Sequence, residues 1–318
     1  DFTNAGTIRM ESMGSAYNSQ FTVTSGTLTN TGTINVEAGT GGARGISADL
    51  ANSGTINVNH DLDFNKSSGV VTNTGTINIA VGKSLDMILG SQTFNQNGGT
   101  LAINGTVNIT TNGTFNHNGG AINGTQVPGT GSLILRASAL GFGGGNSAAT
   151  FIVRGSSNLS GNIPSAATVW IQGTGGPGNA TLTSASNVIN AGTIRMESTV
   201  SAYNSQFTVT SGTLTNTGAI NVEAGSGGTR VISADLNSSG TINLNHNLSL
   251  SKASGVVTNT GTVNIAAGKT LDMVASGGQT FNQNGGTLAV NGTFNVSNGG
   301  TFNQNGGTLA IGGAFNMP

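Results

Sequence analysis

The chain has 318 residues, 53 of them Gly and none Cys, with a formal charge of −1 and only 7% charged residues, against about 25% in an ordinary globular protein. Such a balance leaves no basic field to attract nucleic acid or anionic lipid. The lack of Cys excludes disulfide frameworks and thiolate metal or redox centres, and no apolar run approaches the roughly 18 residues of a membrane span.

The first predicted elements are short strands. An apolar fraction of 35% falls in alternating runs such as Thr33-Ile34-Asn35-Val36, which separates the chain from a disordered one. Between Asn30 and Ile79 the pattern Asn/Ser-x-Gly-Thr-Ile repeats, with its glycines at Gly32, Gly54 and Gly75. A turn that short cannot bury its apolar side alone, so equal turns must stack into one core. Ile34, Ile56 and Ile77 are then expected in one inward column. Asn30, Asn52, Asn73 and Asn97 should form an amide ladder at a corner, with the motif Gly supplying φ > 0 there. Thr29, Thr31, Thr33 and Thr72, Thr74, Thr76 raise ice binding, but the Gly between them places them at a corner. Asp61-Leu62-Asp63 beside His60 is the one paired-acid motif and reads as a solvated turn. Arg9 and Glu11 share a strand face as a surface pair.

The middle of the chain changes step. Ser132-Leu-Ile-Leu-Arg136, Thr150-Phe-Ile-Val-Arg154 and Thr168-Val-Trp-Ile-Gln172 recur every 18 residues. Alternation turns Leu133, Leu135, Phe151, Val153, Val169 and Ile171 inward. It leaves Ile134, Ile152 and Trp170 in one outward column, and Arg136, Arg154 and Gln172 in the next. An apolar outward stripe needs a cover. The local choice is a loop, Gly141 to Asn146 with Phe142. The functional choice is a lateral contact with another rod or a glycan, for which Trp and Arg are suited anchors.

The last part repeats the first. Asn4 to Ser12 returns as Asn190 to Ser198, Gln20 to Leu28 as Gln206 to Leu214, and Asn97 to Leu101 as Asn284 to Leu288. The second ladder reads Asn216, Ser238, Asn259, Asn284, with a weak step at Ser238. Phe281 to Leu288 returns as Phe302 to Leu309, so Phe281/Phe302 and Leu288/Leu309 should each lie one turn apart. Asp1 aligns with Asn187, inside a repeat, and the parent polypeptide is expected to be a longer array of such blocks.

These periods predict an all-β, right-handed parallel β-helix with rungs of about 18–22 residues and about 14 to 16 turns. It divides into block A (1–124), a shorter-rung segment (125–189) and block B (190–318). Asn104-Gly105, Asn112-Gly113 and Asn291-Gly292 are hairpin signals and keep an antiparallel sheet or barrel open. A left-handed hexapeptide helix suits the middle block alone. The strands are too short for an outer-membrane barrel.

The recurring Asn-Thr-Gly-Thr-Ile-Asn-Val/Ile, at Asn30 to Val36 and Asn73 to Ile79, resembles the rungs of filamentous haemagglutinin-type adhesins and autotransporter passengers. That resemblance covers most of the chain outside about 125–189. It implies export, a long right-handed β-helix, and an adhesive or matrix role at a bacterial surface.

A catalytic β-helix would need clustered carboxylates on adjacent rungs. The eleven acids are scattered, and most recur between the copies, as Glu11/Glu197, Glu37/Glu223, Asp49/Asp235 and Asp86/Asp272. A duplicated charge fits a rung better than a unique site. The sequence therefore points to a non-catalytic structural rod of a secreted or cell-surface fibre, with no catalytic, cofactor or metal residues. Self-association into fibres or bundles and a cell-surface glycan are the expected partners; nucleic acid and membrane insertion are not. A carbohydrate- or surface-binding adhesin module is the alternative, and a polysaccharide-active enzyme the third.

Overall fold

A computed structural model describes residues 1–14, 16–124, 132–144, 148–274 and 276–317. Among them every regular element is a strand, the strands pair in parallel, and the turns stack about 13 deep as a β-solenoid. Two compact units, Asp1–Ile152 and Val153–Pro318, divide the chain.

In the first unit, alternation sends every second side chain inward, and parallel register stacks like on like. Ile34 pairs with Ile56, Ile56 with Ile77, and Ile77 with Leu101. A second column runs Leu28, Leu50, Val71, Phe94, Phe115, Leu140. A third runs Leu62, Leu85, Val107, Leu133. All are buried, and Phe94 and Phe115 stack with centroids 5.4 Å apart. The second unit repeats the scheme: Ile220, Ile242, Val263, Leu288, Leu309 form one column, and Phe281 lies directly under Phe302 at 5.8 Å. Both one-turn pairings expected from the sequence are present.

Inside the apolar columns runs the amide ladder. Asn4 donates to Asn30, Asn30 to Asn52, and Asn52 to Asn73, each at 2.7 Å and across 26, 22 and 21 residues. The ladder then passes to Gln96, not Asn97: Asn73 donates to Gln96 Oε1 at 2.9 Å. That turn is longer, and one extra residue reverses the face a side chain takes. Asn97 falls beyond its strand, where Asn118 donates to it at 2.9 Å. The second ladder makes the same substitution, with Asn259 donating to Gln283 in place of Asn284. Its step at Ser238 is indeed longer, 3.1 Å from Asn216. Each buried amide bond adds about 1 kcal/mol net, and leaving a partner unpaired costs more.

The motif glycines do not work by φ > 0. Gly32, Gly54 and Gly75 lie outside the left-handed region. They serve close approach instead: a Cβ on Gly54 would sit well under 3.0 Å from the Gly32 carbonyl oxygen, and one on Gly75 equally near that of Gly54. Gly218, Gly240 and Gly261 repeat the stack in the second unit. Backbones pass over one another where only hydrogen fits.

Two further expectations are corrected. The turns number about 13 because several steps take 25 or 26 residues, longer than the 18–22 read from the motifs. The 18-residue step survives where Arg154 meets Gln172. The Asn-Gly pairs are corners, not hairpins: Asn104-Gly105 joins Thr100–Ile103 to Thr106–Ile109, and each strand pairs with neighbouring turns, not with the other.

Candidate functional site

The outward column of the 18-residue block is not an exposed stripe. Ile134, Ile152 and Trp170 keep 8%, 5% and 5% of their surface, and Gln172 is buried with them. Arg136 and Arg154 remain half-buried. Nor does Phe142 fold over that column. It sits on the inward ladder position beside His117 and packs edge-on against core Phe151, 5.0 Å away. Gly145 and Asn146 lie outside the described residues.

In the second unit the cover on Trp170 is a cation. Trp170 pairs in register with Arg195, whose guanidinium lies 4.0 Å from the ring centroid. Glu197 holds Arg195 at 2.9 Å and Glu223 approaches at 3.7 Å. The Arg195 side chain keeps 33% of its surface, so this cation–π contact contributes about 0.5–1 kcal/mol. Beside it Arg154 donates through Nε to Gln172 Oε1 at 2.8 Å. Sequence reading makes Arg9 and Glu11, whose repeat copies are Arg195 and Glu197, a surface pair and misses the stacking. The signal was present: Trp170 and Arg195 share strand parity one long turn apart. Arg154 and Gln172 thus bond to each other, while Trp170 is covered by Arg195 and its buried indole N–H has no hydrogen-bond partner among the described residues.

Two arginines are buried almost completely. Arg44 donates to the carbonyls of Glu37, Ala38, Gly41 and Gly42, pinning the loop between its strand and the preceding one. Arg230 repeats this on Glu223, Ala224, Gly227 and Gly228. Burial pulls the Arg230 pKa down, and Glu197 opposes that pull. Backbone carbonyls, in place of a carboxylate, solvate each cation.

Asp63 faces Asp86 on the next strand. Burial, then the Asp86 and Asp61 charges, raises its pKa. Asp86 is capped by Asn108 at 2.6 Å and Ser84 at 2.8 Å, and Asp61 accepts from the Ser84 backbone N–H. Among the described residues no three His, Cys, Asp or Glu side chains gather as a metal site. His60 and His246 are half-buried corner residues, each within hydrogen-bond reach of the next carbonyl. The fully buried histidine is His117, which follows Gln96 in the ladder column. Burial lowers its pKa.

No protein-family model matches the chain, and neither a curated protein nor a solved structure does.

Proposed function

We propose that the chain is a non-catalytic structural segment of a bacterial cell-surface or secreted fibre. The observation that carries this reading is what the duplication of block A as block B has kept. The ion pair Lys66–Asp49 returns as Lys252–Asp235, both at 2.7 Å. Gln92 donates to the carbonyls of Phe64 and Lys66, and Gln279 to those of Leu250 and Lys252. The Arg44 clasp returns at Arg230. What is retained between copies includes these bonds that tie turn to turn, and the functional demand on such a chain is continuity of stacking.

The role is mechanical. Hydrogen bonds between turns act together, so tension or protease must open many at once, and lateral or end-wise association would extend the element into fibres. Immunogold labelling of intact cells of the source organism, read by electron microscopy, tests this. Gold on surface filaments or shed fibres is the expected result. Label confined to the cytosol, or turnover of a substrate by the purified chain, would sink it.

A further inference from the structure

On the outer face of the second unit lies an open groove of about 460 Å³ lined by Asn221, Glu223, Asn243, Asn245, Asn264 and Asn291. Three of these amides form an outward ladder: Asn243 donates to Asn221 and Asn264 to Asn243, each at 2.9 Å. Each link uses one N–H and one carbonyl lone pair, so donors and acceptors are left over along the column at turn spacing, about 4.8 Å. The ladder also fixes the side-chain rotamers before any ligand arrives, which removes an entropy cost of binding. The one charge in the lining, Glu223, faces Arg195.

We propose that this groove binds a neutral β-1,4-linked oligosaccharide laid along Asn221, Asn243 and Asn264. A hydroxyl both donates and accepts, so one group can bridge successive amides whichever atom each presents. An extended β-1,4 chain advances by roughly one strand spacing per sugar; successive sugars present opposite edges to the column, and each edge carries hydroxyls that can meet an amide. An extended peptide would need pockets for alternate side chains, and the apolar lining here is only Leu244, Ile265 and Ala266, the first two buried. The same set recurs in the first unit as Asn35, Glu37, Asn57, Asn59, Asn78 and Asn104. There Asn57 donates to Asn35 and Asn78 to Asn57, again at 2.9 Å. Two equivalent sites per chain follow.

Isothermal titration of the full chain with cellotetraose and with chitotetraose is the test. At least one should bind saturably at two sites per chain. Asn243→Leu should leave one site, and Asn57→Leu with Asn243→Leu none, with the β-sheet circular dichroism unchanged. Should that double variant misfold, Asn59→Ala with Asn245→Ala removes two exposed groove amides outside the ladder and should weaken binding at least several-fold. Absence of heat with both tetraoses at millimolar concentration overturns the proposal. So does wild-type binding in a folded double variant.

Discussion

Asn52 donates from Nδ2 to Oδ1 of Asn73 at 2.7 Å, and both amides are shut away from solvent inside the apolar columns. Asn52 also accepts from Asn30, so one side chain completes two turns. Asn52→Ala would leave a buried N–H and a buried carbonyl unpaired, at about 1–3 kcal/mol each, or about 2–6 together. Asn52→Ser should cost less, because Ser238 holds the equivalent place in the second ladder. Urea midpoints decide it: an Ala variant no weaker than exposed Asn245→Ala would refute the ladder's energetic role.

The glycine stack makes a second, sharper test. Gly82 has φ 71° with open space at its Cβ position, so Gly82→Ala meets only backbone strain, about 1–2 kcal/mol. Gly54 has an ordinary φ but no room, since the Gly32 carbonyl occupies the Cβ position. Gly54→Ala must push two turns apart and should cost clearly more than Gly82→Ala, or abolish soluble expression. Equal melting temperatures for the two variants would restore φ as the reason for the motif glycine.

The columns were legible because stacking repeats the same residue at the same place, so Ile34, Ile56 and Ile77 announce themselves. Ladder membership was legible only where turn length holds steady. At Gln96 the step is 23 residues, and the nearby Asn97 is the decoy. The cover on Trp170 was legible only in part: Arg195 shares its strand parity, but the long turn between them hides which residue comes to lie over the ring. The groove escaped notice because its asparagines read as ordinary outward strand residues; their mutual bonds exist only once register is known.

The two copies differ informatively in the core. Leu236, Ile242, Leu248, Leu250, Val257, Val263, Leu271 and Phe281 surround an apolar void in the second unit. At the position of Leu250 the first copy has Phe64, and at Val263 it has Ile77. Leu250→Phe should fill the void, with a gain of about 0.5–2 kcal/mol. Leu250→Ala should enlarge it, with a loss of about 2–5 kcal/mol. Thermal melts of both variants read the result, and a destabilised Phe variant would mean that the surrounding turns cannot accept the ring.

Acid response separates two kinds of carboxylate. Hydrogen bonding to Lys66 leads the causes that depress Asp49. At Asp235 burial opposes ionisation, but the bonds from Lys252 and Val256 outweigh it. For both, the folded state binds its proton later than the unfolded chain, so their stabilisation is lost only as pH falls through their lowered values, below the ordinary 3.8. Asp63 has the opposite sign. Burial and the Asp86 and Asp61 charges raise its pKa, so the folded state takes up its proton first and gains stability as pH falls from neutral into the range just above 3.8. Asp63→Asn removes that charge at every pH, as Ser249 does in the second copy. The variant should therefore melt above wild type at neutral pH, with the gap narrowing towards about pH 4, where a free carboxylate is half protonated. A gap that stays constant across that range would show that Asp63 is not strained by its neighbours.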